Sequence, residues 1–135
     1  MLYSKCVDLR TIIVVFFMVI PIFRIFDYHK ACEFYVGWLG FHIDWEERSD
    51  TGPMYMQVSR GDIVLHLIGD WGESCPGSKA VAEINGLLAY HRLLLQKDYP
   101  FGRPGLEKTT WSERVMQAEV TDPFGNSIVF IEACV

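Results

Sequence analysis

Two segments of the chain repeat apolar residues every three or four positions, the spacing that puts them on one side of an amphipathic helix. The first segment follows Asp27, a suitable N-cap, and ends before Gly40. Its apolar positions are Ala31, Phe34, Tyr35 and Trp38. The second segment follows Asn85 and ends near Lys97, before Pro100. Its apolar positions are Leu87, Leu88, Leu94 and Leu95. Because each helix has one apolar side, we expect both to pack against a sheet.

The segments after each helix alternate apolar and polar residues, which is typical of strands with one buried face. The stretch FHIDWEE, residues 41–47, sets three apolar residues against polar neighbours, namely Phe41, Ile43 and Trp45. MYMQVS and IVLHLI then form a hairpin around the turn at 60–62, and MQAEVT and SIVFIE form another around residues 122–126. With the short strand that precedes each helix, the predicted order is βαβββ followed by βαβββ.

An internal repeat relates the two halves of the chain. Aligning IFRIFDYHKA with AVAEINGLLA puts Asp27 over Asn85, 58 positions apart, and the hairpin glycines Gly61 and Gly125 are 64 apart. A modest loop insertion explains the difference. We expect a single domain over residues 19–135, built from modules at about 19–72 and 79–133, with residues 1–18 as an N-terminal extension. A connector rich in Gly, Ser and Pro, residues 69–79, joins the modules.

The apolar run TIIVVFFMVIPIF, Thr11 to Phe23, is the one stretch that resembles a membrane or export signal, because Lys5 and Arg10 precede it. It is short for a membrane span, which needs roughly 20 apolar residues, and no small-residue cleavage site follows it. Buried β-structure is therefore the favoured interpretation. A membrane anchor, or a start codon placed too far upstream, remains the alternative, and a membrane partner is not expected.

Composition narrows the class of partner. The 135 residues are 50% apolar, and 12 Lys plus Arg against 17 Asp plus Glu give a formal charge of −5. No basic run is longer than a pair, so nucleic acid is not an expected partner, whereas a cationic ligand would be attracted. The four cysteines form no CxxC pair, which favours free thiols in a reducing cytoplasm over a zinc site or a disulfide framework.

Three stretches together resemble the vicinal oxygen chelate superfamily, and within it the glyoxalase/bleomycin resistance branch. They are IPIFRIFDYHKACEFYVGWLGFHIDWE, MYMQVSRGDIVLHL and VTDPFGNSIVFIE. The resemblance covers about residues 19–133. It implies an α+β fold in which two βαβββ modules curl mixed sheets around a cavity. It also implies a homodimer whose ligand sites lie at the subunit interface.

The superfamily's enzymes hold a divalent metal with His, Glu or Gln at four positions, and the resemblance locates them in this chain. The first is Ile20, the third is Lys79 and the fourth is Val129. None of these offers a lone pair at neutral pH. The second is Leu65 when counted from the hairpin glycine, or His66 when counted back from the connector, and His66 is preferred. One imidazole alone holds little metal, so neither a metal nor a cofactor is predicted.

An apolar, aromatic cavity with an acidic rim is then the expected site. Its candidate ligand-binding residues are Trp45, Glu47, Tyr55, Gln57, His66, Trp111 and Val129. Trp71 adds a further aromatic face and Glu46 a further charge, and together they favour a planar or cationic ligand. Structural roles compete with this interpretation. Trp45 fits a core position equally well, and His66 fits a hydrogen-bonded core histidine.

The leading hypothesis is a metal-free, cytoplasmic, homodimeric protein that sequesters a small molecule such as a cationic glycopeptide antibiotic, and so confers resistance. The alternative is a divergent superfamily enzyme, glyoxalase-like or dioxygenase-like, that uses His66 in a non-standard site. No nucleophile with a neighbouring base stands out, and no catalytic residue is assigned.

Overall fold

A computed structural model describes residues 17–48, 54–70, 72, 74–97 and 99–134. The first module contains β1, α1, a π-helical turn, β2, β3 and β4, at Ile22–Arg24, Tyr28–Cys32, Glu33–Trp38, His42–Glu47, Tyr55–Arg60 and Ile63–Ile68. The second contains β5, α2, β6, β7 and β8, at Lys79–Glu83, Leu87–Gln96, Glu107–Lys108, Val115–Thr121 and Ser127–Ala133. The predicted order, βαβββ twice, is confirmed.

Each module forms its own four-stranded mixed sheet. The strand orders are β1-β4-β3-β2 and β5-β8-β7-β6. In each sheet the first strand runs parallel to the last, and the other neighbours are antiparallel. The helix between the first and second strands supplies the crossover that a parallel pair requires. The α+β fold class is confirmed.

The first helix begins and ends as its sequence predicts. The Asp27 side chain accepts a hydrogen bond from the Lys30 amide at 3.0 Å, and the chain leaves the helix through Gly40 at φ +80°. The last six residues widen into a π-helical turn, in which the Leu39 amide donates to the Phe34 carbonyl at 2.9 Å. The apolar spacing of this segment predicts an ordinary α-helix and does not indicate the widening.

The second helix begins one residue later than the internal alignment suggests. Its N-cap is Gly86, at φ +80°, so the equivalence with Asp27 is 59 positions rather than 58. The Gly86 and Leu87 amides donate to the Glu132 carboxylate at 2.7 and 3.0 Å, which caps the helix from the neighbouring strand. The apolar side is also rotated: Leu87, Tyr90 and Leu94 are buried, whereas Leu88 is 50% exposed.

The N-terminal apolar run is only partly β-structure. Residues 11–16 lie outside the described part of the chain, Phe17 and Val19 are each 93% exposed, and the strand begins at Ile22. The prediction of buried strand across the whole run is therefore wrong for residues 17–19. No helix in the described ranges is long and apolar enough to cross a membrane.

Both sheets turn alternate residues toward the helices, and these residues form one core. The buried apolar strand residues facing the helices are Phe23, Met56, Val58, Leu65, Leu67, Ala118, Val120, Ile128 and Phe130. The helices contact each other across the modules, because the Trp38 indole donates to the Leu94 carbonyl at 3.0 Å and the Tyr90 hydroxyl to the Leu39 carbonyl at 2.6 Å. The opposite face of each sheet does not contribute to this core.

The turn between β7 and β8 ties the second module to the first. Asp122, which is 5% exposed, accepts from the Phe124 and Asn126 amides at 2.8 Å each and so shapes its own turn. Its other oxygen accepts from the Tyr35 hydroxyl at 2.6 Å. The side-chain NH₂ group of Asn126 donates to the Arg24 backbone carbonyl at 2.7 Å. Burial and the Asp122 carboxylate raise the pKa of Tyr35 well above its usual value, so its hydroxyl stays a donor.

We expect Tyr35→Phe to lower the free energy of unfolding by about 1.5–3 kcal/mol, because it leaves a buried carboxylate without a charge-assisted hydrogen bond. Urea unfolding measures the loss. The matched control is Tyr28→Phe, whose hydroxyl donates to the exposed Glu46 carboxylate at 2.7 Å. The control should change stability by about 0.5 kcal/mol or less. Equal losses in the two variants would refute the special role of the Tyr35 contact.

Candidate functional site

The strand register brings five of the predicted site residues together on the face of the first sheet that points away from the helices. Trp45 lies opposite Gln57, and Gln57 lies opposite His66. Tyr55 is two residues before Gln57 on β3 and therefore shares its face. Glu47 lies opposite Tyr55 at the end of β2 and is exposed. We call Trp45, Tyr55 and His66 the aromatic cluster.

The three rings of the aromatic cluster contact one another. Trp45 and Tyr55 lie parallel within 7°, with ring centroids 5.6 Å apart. His66 meets both edge-on, with its ring centroid 5.4 Å from that of Trp45 and 5.2 Å from that of Tyr55. Trp45 therefore does not belong to the core between the sheets and helices. Its ring contacts and its position on the open face favour a role in a ligand-binding surface.

A chain of hydrogen bonds runs beneath the aromatic cluster. The Tyr55 hydroxyl lies 2.7 Å from His66 Nδ1, and His66 Nε2 lies 3.0 Å from Gln57 Oε1. Gln57 Nε2 donates to Asp44 Oδ2 at 3.0 Å, and the Ser59 hydroxyl donates to Asp44 Oδ1 at 3.0 Å. Gln57 is 4% exposed, so this polar chain is partly shielded from water. Both nitrogens of His66 are thus engaged.

Sequence reasoning missed Asp44 and Ser59. The alternation of FHIDWEE predicts that Asp44 and Trp45 point to opposite sides, but β2 has an irregularity between Ile43 and Trp45 that places the Asp44 carboxylate beside Gln57 and Ser59. The sequence carries no signal for this bulge. Glu46, which was expected to add a charge at the site, lies on the other face of β2. It is opposite Met56, whose side chain is in the core, and it accepts a hydrogen bond from the Tyr28 hydroxyl. The acidic rim of the cluster therefore consists of Glu47 and Asp44.

The register also decides between the two residues considered for the second metal position. Leu65 is 1% exposed and faces the core, whereas His66 lies on the open face and is half-buried. Burial lowers the pKa of His66 below its usual value, so its ring is neutral at pH 7. A neutral imidazole has one lone pair, and here both ring nitrogens have a hydrogen-bond partner, Nδ1 with the Tyr55 hydroxyl and Nε2 with Gln57 Oε1.

The side chains at the other three metal positions are unsuited to binding a metal ion. Ile20 precedes β1. Lys79 forms an ion pair with Glu119, with Nζ 3.1 Å from Oε1. Val129 is 8% exposed and lies between Val81 and Glu119 on the second sheet. Within the described ranges, no group of three or more His, Cys, Asp or Glu side chains is arranged to hold a metal ion.

Two predicted site residues of the second module do not join the aromatic cluster within one chain. Val129 is on the second sheet, on the face that points away from the helices. Trp111 lies in the loop between β6 and β7 and is 66% exposed. Trp71 falls outside the described residues. The single chain thus assembles Trp45, Tyr55, Gln57, His66 and Glu47, and leaves the others apart.

A cavity of about 670 Å³ lies elsewhere, between the β3–β4 turn and the start of α2. Its charged lining carries both signs, with Arg60 beside Asp62 and Glu83. Arg60 is already engaged, with its guanidinium carbon 4.6 Å from the centroid of the Tyr90 ring. This cavity offers no convergent set of groups for one ligand chemistry, so the aromatic cluster is the better candidate site.

The chain has two mixed sheets, each built from one βαβββ module. The helices cover one side of each sheet, and the open side of the first sheet carries the aromatic cluster. This architecture is the glyoxalase/bleomycin resistance fold, an α+β fold. The family model for glyoxalase superfamily proteins matches residues 7–134. The chain belongs to the glyoxalase superfamily, and the resemblance to the vicinal oxygen chelate superfamily is confirmed. No curated protein matches the sequence.

Solved structures with similar folds include three antibiotic-related proteins. The bleomycin-binding protein from bleomycin-producing Streptomyces verticillus, complexed with copper(II)-bleomycin, is 26% identical, with a TM-score of 0.64 over 87% of this chain and 96% of that one. A bleomycin-binding protein complexed with bleomycin is 22% identical (TM-score 0.65; 87% and 98% covered). A bleomycin resistance determinant encoded on transposon Tn5 is 19% identical (TM-score 0.65; 89% and 100% covered).

We expect His66 to make stability fall on acidification. Its pKa is lower in the folded chain than in the unfolded one, so between these two pKa values the unfolded chain binds more protons. The contribution is complete above about pH 6.5, the usual pKa of histidine, and is lost as the pH falls below it. In urea unfolding from pH 7.5 to 5, His66→Gln should show a shallower decline than the wild type.

A control on the same face isolates the titrating group. Trp45→Phe alters the aromatic cluster without removing His66 and should keep the wild-type pH dependence. If His66→Gln and the wild type lost stability in parallel, the assignment of the lowered pKa to His66 would be wrong.

Proposed function

We propose that this protein is a metal-free binding protein that sequesters a bulky aromatic or cationic small molecule, as a homodimer whose interface encloses the ligand. The observation that carries the proposal is the aromatic cluster, in which two parallel rings and an edge-on histidine form an ordered surface on the open face of the first sheet. Such a protein needs affinity and abundance but no catalytic group.

The chemistry of the cluster favours a planar or cationic ligand. Aromatic faces attract flat heteroaromatic rings and cations, at about 0.5–2 kcal/mol for each good contact. The carboxylates of Asp44 and Glu47 stand at the same face, and the chain carries a formal charge of −5. Both features favour a cation over an anion.

The state of His66 supports a binding role over a metal-dependent reaction. A metal-bound imidazole needs a free lone pair and further convergent ligands. The Nδ1 and Nε2 atoms of His66 are instead held by Tyr55 and Gln57. The bleomycin-binding and bleomycin resistance proteins among the similar structures support a glycopeptide antibiotic as the class of ligand, and resistance by sequestration in the cytoplasm as the role.

A second copy of the chain is the proposed cover for the aromatic cluster. Apolar side chains remain exposed on the open faces of both sheets, with Ile22 at 38% and Val81 at 64% exposure. Val81 lies beside Val129, so the second sheet offers an apolar wall. We propose that this wall, with Trp111, approaches the cluster of the partner and completes the site.

Bleomycin, added in its metal-free and copper(II) forms, is the first ligand to test. Binding should quench tryptophan fluorescence, and Trp45→Phe should remove most of the quenching and weaken the calorimetric affinity about threefold to tenfold. The control is Phe101→Leu, an aromatic residue that is 79% exposed and outside the cluster. It should bind as the wild type does.

Two outcomes would count against this function. If both forms of bleomycin left fluorescence and heat unchanged, bleomycin would be excluded as the ligand. If the protein converted the ligand into a new product detectable by mass spectrometry, or purified with stoichiometric divalent metal, sequestration would give way to enzymatic activity.

The dimer has its own test. Sedimentation equilibrium should give twice the chain mass, and Val81→Glu should shift the protein to monomer, because it places a charge on the apolar wall. Leu88→Glu is the matched control, since Leu88 is similarly exposed but lies on α2. A monomeric wild type, or dissociation by both variants alike, would contradict the proposed interface.

A further inference from the structure

The hydrogen-bond chain beneath the aromatic cluster has a direction that its chemistry determines. One end is Asp44, whose ionised carboxylate only accepts. Gln57 therefore turns its NH₂ group, a donor, toward Asp44 Oδ2 at 3.0 Å. Its carbonyl Oε1 is then the atom left facing His66 Nε2, also at 3.0 Å.

The orientation of Gln57 in turn determines the tautomer of His66. Because Gln57 Oε1 is an acceptor, His66 Nε2 must carry the ring proton, and Nδ1 keeps the lone pair. The Tyr55 hydroxyl, 2.7 Å from Nδ1, then donates inward. Every proton of the chain thus points toward Asp44. The lowered pKa of His66 agrees with a neutral ring.

We propose that Asp44 is a positioning residue, which holds His66 in the Nε2-protonated form and so keeps the aromatic cluster ordered and closed to metal. Asp44 can do this because the bulge in β2 brings its carboxylate onto the open face beside Gln57. With this anchor, His66 has no free lone pair, and its ring is held edge-on to Trp45 and Tyr55. Its importance for binding rests on the proposed ligand site.

Nitrogen-15 NMR of the histidine side chains tests the tautomer directly. Wild-type His66, assigned by comparison with His66→Gln, should be the neutral Nε2-protonated tautomer at pH 7.5. Asp44→Ala frees Gln57 to rotate, so the His66 signals should move toward a mixture of tautomers. Asp44→Asn keeps an acceptor for Gln57 and should retain the wild-type tautomer, which separates the acceptor role from the charge.

Ser59→Ala is the matched control, because it removes the other partner of Asp44 without interrupting the path from Gln57 to Tyr55. Its His66 signals should be those of the wild type. Thermal unfolding of each variant shows that it is folded. An Nδ1-protonated His66 in the wild type, or an unchanged tautomer in Asp44→Ala, would overturn the proposal.

Binding of bleomycin to the same variants tests the link to function. Asp44→Ala should weaken the affinity about tenfold, which corresponds to the loss of roughly one ordered hydrogen bond, and Ser59→Ala should not. If Asp44→Ala changes the tautomer but not the affinity, the positioning role in binding is wrong. Failure of the wild type to bind bleomycin would count against the proposed function, while the NMR result would still decide the role of Asp44.

Discussion

The buried carboxylate of Asp122 is the contact on which the arrangement of the two modules depends. It shapes the β7–β8 turn through two backbone amides and reaches the Tyr35 hydroxyl in the first module. Asn126, held by the same carboxylate, continues the link to the backbone of β1 through the Arg24 carbonyl. A buried charge is costly unless it is fully hydrogen-bonded, so these donors must all be in place together. The turn and the docking of the modules are therefore formed as one unit.

This docking places both helices on one side of each sheet and leaves the other side open. Because successive side chains point to opposite faces of a sheet, each strand contributes residues both to the core and to the open face. On β4, Leu65 and Leu67 fill the core while His66, between them, belongs to the open face. The same alternation makes β3 carry Met56 and Val58 inward and Tyr55 and Gln57 outward. Core packing thus fixes the geometry of the candidate site without contributing a residue to it.

The open faces show how the residues at the family's metal positions are engaged in this chain. In the second sheet, Lys79 is paired with Glu119, and Val129 lies directly beside that carboxylate. In the first sheet, the retained histidine is incorporated into a hydrogen-bond chain with Tyr55 and Gln57. A histidine at a family metal position is thus insufficient evidence for a metal, because its lone pair can be occupied by a neighbour. The partners of the imidazole decide its chemistry.

The order of the helices and strands follows from the amino-acid sequence, because helical and strand periodicities are local properties. The alternation along β3 likewise places Tyr55 and Gln57 on one face, whereas the alternation along β2 would place Trp45 with Phe41 and Ile43 on the core side. Other details depend on contacts between distant strands and are visible in the folded chain alone. These are the capping of α2 by Glu132, the exposure of Leu88 and the bulge that turns Asp44 toward Gln57. A single bulge reverses the side to which a residue points, and nothing in the local pattern announces it.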